Sequence, residues 1–390
     1  MTTAPLDADE VRACLAGTGT GTMLPAPAYA DEAVLAWERR FLFDAGWVCV
    51  GRSAGVPAPR SRRAVPYGEA AVLLVRGEDG VLRGFHNTCR HRAHELLPCG
   101  STAYGRFIAC PYHNWVYDLD GRLHKVPVAH RAALDAEALG LAPVAVAEWQ
   151  GFVFVNADGS APPVPEYFAG LDERLAPYGI DGLVVAAEHE YELGANWKLA
   201  IENYHECYHC TSLHPQLCQV SPPESGTSYP STGLWIGGSM ALADGAETMS
   251  VSGASPTGPM PGVRAAALRE VLYLQLVPTL LLSPHPDYVL VHVLEPLAAR
   301  RTRIRCQWLF PPDVVARDGF DPAYAVQFWD ITNKQDWAAC ESVQRGVRSA
   351  GYRPGPLSPW HETAVAQAIA VVARTYLDGR LPATAAAVPS

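Results

Sequence analysis

Two short stretches decide how this chain reads: CRHR at Cys89–Arg92 and CPYHNW at Cys110–Trp115. One is Cys-x-His and the other Cys-x-x-His, and 18 residues separate His91 from Cys110. Two thiolates and two imidazoles on separate loops could close a tetrahedral zinc site. They could equally hold a [2Fe–2S] cluster, with two cysteines on one iron and two histidines on the other. Zinc fingers usually pair Cys with Cys on a knuckle and His with His on a helix. Here each loop is mixed and its flanks read as β-turn, which favours two irons, because each loop then offers a ligand to each.

The surroundings of these loops read as strand. From Trp47 to about Asn156, short alternating apolar runs are punctuated by Gly, Pro and Asp. Examples are AAVLLVRGEDGVLRGF, turning at Asp79-Gly80, and WVYDLDGRL, turning at Asp120-Gly121. Before them, DEAVLAWERRFLFDAG reads as a helix ending at Gly46, and the first 25 or so residues, rich in Gly, Thr and Ala, are expected to be loosely ordered. After a Pro-rich joint, NADGSAPPVPEYF, come a helical segment, alternating strands, a long helix from Asp321 and a last one at TAVAQAIAVVARTYL. Strands joined by hairpins and followed by helices predict an antiparallel α+β domain.

The 390 residues carry a formal charge of −10, which argues against a binder of nucleic-acid phosphate. No run reaches the ~18 apolar residues that span a bilayer, and the N-terminus lacks the basic and apolar regions of a signal peptide. A cytosolic protein is expected. There the ten cysteines are thiols or metal ligands rather than a disulfide framework, with Cys14, Cys49, Cys218, Cys306 and Cys340 as buried apolar residues.

A second constellation lies at ENYHECYHCTSLH, Glu202–His214. His205-Glu206-Cys207-Tyr208-His209 is a literal HExxH, in which i,i+4 spacing on a helix would give a zinc protease its two histidines and Glu206 its base. The extended protease motif fails, with Ser212 and Pro215 at its Gly and His positions. The alternative pair is His209 and His214. Five residues apart, they differ by about 140° on a regular helix, so the helix must unwind or bulge between them. A carboxylate would complete a two-His-one-carboxylate triad, leaving positions open on ferrous iron. Glu202, Glu206 and His209 share one helical face by spacing. The CxxC formed by Cys207 and Cys210 is expected mid-helix, as packing rather than as a redox pair.

Taken together, CRHR…CPYHNW followed by VYDLDGRL, and ANWKLAIENYHECYHCTSLH, resemble the two metal segments of the Rieske non-heme iron oxygenases, in the terminal oxygenase (alpha) subunit of the aromatic-ring-hydroxylating dioxygenase family. The resemblance spans roughly residues 45–350. It implies that Cys89 and Cys110 ligate one iron of a [2Fe–2S] Rieske cluster and His91 and His113 the other. Ala93 and Asn114 stand where the family often has Gly. It further implies that His209 and His214 hold a mononuclear Fe(II), that Glu206 bridges towards a neighbouring subunit's cluster, and that Asp336, in NKQDWAACESVQRG, is the third ligand. Asp330 and Glu341 are competitors for that role. His205 is left as a residue making a structural hydrogen bond or facing substrate.

The implied architecture is α+β: an N-terminal tail and helix (1–45), an all-β Rieske domain (46–156), a linker (157–165) and a helix-grip catalytic domain (166–390). The implied activity is oxidation of a small organic molecule, aromatic or quaternary amine, by O2, by hydroxylation or oxidative demethylation. Electrons would come from NAD(P)H through a separate flavin or iron–sulfur reductase, or a ferredoxin, since no convincing G-x-G-x-x-G follows a strand. A homotrimer is the implied assembly. An HExxH zinc metalloprotease and a non-catalytic zinc-binding module are the competing expectations.

Overall fold

The computed structural model describes residues 3–15, 21–127, 135 and 137–385. By compactness the chain forms two units, one of residues Trp47–Ala161 and one that joins Met1–Gly46 to Pro162–Ser390.

In the unit Trp47–Ala161 the strands are Val48–Arg52 (β1), Ser61–Tyr67 (β2), Ala70–Arg76 (β3), Leu82–His86 (β4), Thr102–Tyr104 (β5), Ile108–Ala109 (β6), Val116–Tyr117 (β7), Leu123–Lys125 (β8), Pro143–Trp149 (β9) and Phe152–Asn156 (β10). Seven form an antiparallel sheet in the order β1-β10-β9-β4-β3-β2-β5, and β6-β7-β8 form a small second sheet. Both predicted hairpins are present. Gly80 and Gly121 adopt φ of 77° and 89°, the left-handed values that their turns demand and that glycine reaches without a Cβ clash. Leu73, Val75, Phe85, Ile108, Trp115 and Tyr117 form a buried cluster that takes in Cys89 and Cys110.

The second unit is built on strands Val184–Leu193 (β11), Thr227–Ser228 (β12), Trp235–Ala241 (β13), Glu270–Leu276 (β14), Leu280–Pro284 (β15), Val289–Ala298 (β16) and Arg301–Phe310 (β17). They make one antiparallel sheet in the order β11-β17-β16-β15-β14-β13-β12. The long helix Ala323–Val347 buries Ala325, Phe328, Trp329, Thr332, Asn333 and Cys340. That three-and-four spacing is one helical stripe, and Asp336 falls on it. An acid on a buried stripe must meet a partner, which the next section supplies.

The N-terminal segment differs from expectation. Ala8–Leu15 is a helix that buries Val11 and Cys14 and packs on the helix Thr363–Asp378, and the Ala4 N–H donates to the Tyr376 carbonyl. Apolar spacing on a short stretch won over the loose composition around it; residues 16–20 lie outside the described residues. Glu38, fully buried, accepts from Lys198 Nζ at 2.6 Å, from Trp197 Nε1 at 2.9 Å and from the Tyr376 hydroxyl. The helix Trp197–Tyr204 is capped at its start by Asn196, whose side chain accepts from the Lys198 N–H at 3.0 Å.

Near the end of that helix the Tyr29 hydroxyl donates to Glu202 at 2.8 Å. Burial pushes the Glu202 carboxyl from 4.5 up to about 8, against the pull of Tyr29 and Lys198. The folded state therefore holds this proton more tightly than the unfolded chain. Its stabilising contribution is full below pH 4.5 and is lost as pH rises through about 8. Urea unfolding across that window is expected to show a fall in stability that Glu202→Gln lacks, by a few kcal/mol on the order of the shift. Parallel pH curves for the two proteins would refute it.

Candidate active site

The cluster loops share one backbone device. The Ala93 N–H donates to the Cys89 carbonyl at 3.0 Å, and the Asn114 N–H to the Cys110 carbonyl at 3.0 Å. Each closing residue, Ala93 and Asn114, has φ of 55°. These are the two positions where the family often has Gly, and the left-handed turn is the reason. Asn tolerates that region; Ala meets a penalty of roughly 1–2 kcal/mol there. Closed in this way, the loops bury both cysteines and bring the rings of His91 and His113 within 4.7 Å, with Trp115 stacked on His91 at 4.9 Å.

The donor set fits a two-iron cluster. Burial raises the Cys89 thiol; the Tyr117 hydroxyl, 3.3 Å from the sulfur, opposes the rise, and the neighbouring Cys110 sulfur adds to it. Two buried sulfurs side by side gain most from a cation that takes them as thiolates. A tetrahedral zinc would draw all four donors around one point. Among the described residues, a convergent set of His, Cys, Asp or Glu donors within 4.8 Å lies elsewhere, around His209 and His214. Cys99, His86 and His94 are exposed, and the His94 backbone carbonyl accepts from the Cys89 N–H at 2.9 Å.

At that second place the local structure is broken rather than helical. The helix stops at Tyr204, a turn carries Glu206 to His209, a single helical turn spans Cys210–Leu213, and another helix starts at Pro215. His214 sits at the joint with φ −122° and ψ 67°, the departure from helix that a following proline imposes. The expected unwinding is thus real, but it falls on both sides of Cys210–Leu213. The shared face expected for Glu202, Glu206 and His209 does not form, because the helix ends between the first and second of them. Cys210 opens its helical turn rather than lying mid-helix, and it is bonded to Cys207 as a disulfide. That corrects the packing reading of the CxxC: in a turn, unlike a helix, the two sulfurs can face one another. It also removes Cys210 as a thiolate donor.

What replaces it is Asp336. His209 Nε2 and His214 Nε2 are 3.1 Å apart, and Asp336 Oδ1 lies 2.9 Å from His214 Nε2 and 3.3 Å from His209 Nε2. An octahedral ion with bonds of about 2.1 Å at right angles sets neighbouring donors about 3.0 Å apart. The tautomers agree with that fit. Glu206 Oε1 can only accept, so His209 Nδ1, 2.5 Å away, carries the proton; Gln335 Oε1 plays the same part for His214 Nδ1 at 2.7 Å. Both Nε2 atoms then present lone pairs to each other and to a carboxylate, an arrangement that a cation resolves. Without a cation, burial lowers His209, but the hydrogen bonds its ring donates to Asp336 and Glu206 outweigh it and hold the ring at about 9.

The competing residues go elsewhere. Asp330 accepts from the Tyr191 hydroxyl at 2.9 Å and from Lys334 at 2.6 Å, and Glu341 accepts from the Gly194 N–H at 2.9 Å. His205 Nε2 pairs with Gln275 Oε1 at 2.9 Å, and burial lowers the ring to about 4. The HExxH histidines are therefore not presented together on a helix, which removes the basis of the protease reading. Gln335 was missed from the sequence, although it adjoins Asp336; Gln275 was not foreseeable, since only the sheet brings it to His205.

Two sets of donors, one that fits a two-iron cluster and one that fits a facial triad, are what an oxygenase of the Rieske type requires. Residues 46–147 match the Rieske [2Fe-2S] domain, and residues 180–378 match the catalytic domain of the ring hydroxylating alpha subunit. The chain belongs to this family. It is 33% identical over 374 residues to the glycine betaine monooxygenase oxygenase subunit of Chromohalobacter salexigens, covering 88% of this chain and 83% of that one. It is 36% identical over 195 residues to the carnitine monooxygenase oxygenase subunit of Escherichia coli K12, covering 49% and 52% of the two chains. The crystal structure of the quaternary ammonium Rieske monooxygenase CntA with L-carnitine superposes with a TM-score of 0.77 at 26% identity, over 95% of this chain and 99% of that one. The protein is thus a terminal oxygenase, an oxidoreductase with a Rieske [2Fe–2S] domain and a mononuclear-iron catalytic domain.

Replacing Gln335 by Leu is expected to free the His214 ring to turn and to weaken iron retention roughly 10- to 100-fold. Iron content after dialysis against a chelator checks this, with the visible spectrum of the cluster unchanged. Retention equal to wild type would mean that Gln335 does not orient the ligand.

Proposed function

We propose that this oxygenase oxidises a small quaternary ammonium compound at a carbon attached to nitrogen. The observation that carries the reading is the cavity next to the triad, of about 200 Å³. Tyr204, Tyr273 and Trp329 line it, with Tyr273 edge-to-face against Tyr204 at 5.7 Å and against Trp329 at 6.4 Å. Aromatic faces attract a cation whose methyl groups prevent hydrogen bonding.

Charge agrees. Among the described lining residues there is no Lys or Arg, while Glu206, Glu224 and Asp336 are present. Burial lowers His205 and His292 to about 4, so neither adds positive charge at neutral pH. Such a lining suits a cation better than a neutral arene. The names of the similar proteins, monooxygenases of glycine betaine and of carnitine, support the same class.

In this reading His209, His214 and Asp336 hold the iron, and Cys89, His91, Cys110 and His113 hold the cluster. When bound, these groups supply O2 activation and electrons. The chain's own residues keep both Nε2 lone pairs directed at one point, through Glu206 and Gln335, and keep the substrate's methyl groups against the aromatic wall beside it. Electrons come from NAD(P)H through a separate reductase, which accords with the similar proteins being oxygenase subunits. Glu206 links His209 to the cluster of a neighbouring subunit in a homotrimer; the inter-subunit electron transfer described for a quaternary ammonium Rieske monooxygenase of similar structure supports this link. No described helix is long and apolar enough to cross a membrane, and we place the protein in the cytosol.

The reading is tested with purified protein and a reductase, by following O2 uptake with choline, glycine betaine, L-carnitine and naphthalene. Uptake coupled to an oxidised product is expected with one or more of the ammonium compounds. Turnover of naphthalene alone would sink the proposal. Glu206→Gln is expected to retain iron, cluster and substrate affinity while steady-state turnover falls by roughly 100-fold or more, the upper end for loss of a carboxylate behind a ligating histidine. Full turnover in that variant would remove Glu206 from the electron path.

A further inference from the structure

One wall of the cavity carries a polar atom that the protein leaves unmatched. Tyr273 lies on β14, paired across to Gly238 of β13, and lines the cavity. Its hydroxyl oxygen is buried and has no hydrogen-bond partner in the protein. The other tyrosines around it are matched. The Tyr204 hydroxyl donates to the Leu282 carbonyl at 2.9 Å and accepts the Leu274 N–H at 3.0 Å. The Tyr288 hydroxyl donates to the Met249 carbonyl at 2.8 Å and accepts the Trp329 Nε1–H at 2.7 Å. These two hydroxyls are occupied in holding the fold together. Tyr273 is the exception among these tyrosines. His292 Nδ1 and Trp337 Nε1, on two other lining residues, are likewise buried without a partner. A buried unmatched hydroxyl on a residue that lines a cavity calls for a partner from outside the protein.

The quaternary ammonium group cannot be that partner. Its nitrogen has no lone pair and no N–H, and its methyl groups are apolar. The ring of Tyr273 can meet the cation, but the hydroxyl requires an oxygen elsewhere in the substrate. Burial raises the phenol, so at neutral pH it keeps its proton and can donate, while its lone pairs still accept. The same atom therefore serves an alcohol or a carboxylate. With no Lys or Arg in the described lining, a carboxylate finds neutral donors rather than a counter-charge there.

We propose that Tyr273 determines specificity for an oxygen-bearing quaternary ammonium substrate, its ring facing the cation and its hydroxyl bonding the hydroxyl or carboxylate on the attached chain. The assignment rests on the quaternary ammonium reading above and deepens it. Through one contact it places the substrate along the wall formed with Tyr204 and Trp329, which sets the carbon that faces the triad.

The test is equilibrium binding by calorimetry to the wild-type holoenzyme and to Tyr273→Phe. The ligands are choline, glycine betaine, L-carnitine and, as the oxygen-free control, tetramethylammonium. Tetramethylammonium is expected to bind both proteins within about twofold, since its contacts are with the ring faces. One or more oxygen-bearing ligands should lose roughly 3- to 100-fold in the variant, more for a carboxylate than for an alcohol. Loss confined to choline identifies the hydroxyl as the group bonded, and loss confined to the other two identifies the carboxylate. Unchanged binding of all four, or equal loss of all four including the control, overturns the assignment and leaves the quaternary ammonium reading standing. Wild-type protein that binds none of them overturns both.

Discussion

A single carboxylate with no exposed surface ties the catalytic unit together. Glu38 comes from the N-terminal segment, Trp197 and Lys198 open the helix that leads to the site, and Tyr376 belongs to the last long helix. Burying a charge is costly unless it is both paired and hydrogen-bonded, and here the carboxylate has three donors, one of them a cation. Burial lowers the Lys198 ammonium, and Glu38 works against that loss of charge. Removing either partner would strand the other, at a cost of about 3–5 kcal/mol. The orientation of the helix Trp197–Tyr204 therefore depends on Glu38, 159 and 160 positions before the two residues that hold it, and on Tyr376 far along the chain.

From that fixed helix the chain has to present two histidines, five residues apart, to one point. It does so by leaving the helix after Tyr204 and again at His214. Pro215 makes the second departure, and the Cys207–Cys210 disulfide ties the turn in which His209 sits. Asp336 reaches the same point from the opposite side because it lies on the buried stripe of a 25-residue helix. The triad is thus a meeting of one irregular segment with one regular element. The irregular segment sets the angle between the imidazoles, and the regular one supplies a rigid third corner.

How much of this could be read from the residues follows from the same division. The four candidate cluster donors were legible as a set because two short motifs need no long-range information, and the hairpins around them announce themselves through Asp-Gly turns. His209, His214 and Asp336 were recognisable through a pattern, and the need to break the helix followed from its 3.6-residue turn. Where the break falls was not legible: Glu202 to His209 carries no strong stop signal, so an unbroken helix and a shared face were the natural reading. The disulfide stayed hidden with it, since two sulfurs at i,i+3 on a helix would be read as packing. Gln275, Tyr273 and His292 lie on strands whose neighbours only sheet register decides. The ordered N-terminal helix was concealed by the Gly- and Thr-rich residues that follow it.

The order of segments along the chain has its own consequence. The cluster-bearing unit is an insertion: the polypeptide leaves the catalytic unit after Gly46 and returns at Pro162. Entry and exit are side by side, for Val48 on β1 pairs with Val155 on β10. All strands of the inserted unit are present in the chain once residue 156 has been made. The unit around it is in the reverse position. During synthesis Glu38 emerges first, yet Lys198 follows only after the whole insertion and Tyr376 later still. Until all three donors have been made, that carboxylate lacks its full set of partners. The part of the protein that handles electrons can thus be finished while the part that handles oxygen is still open.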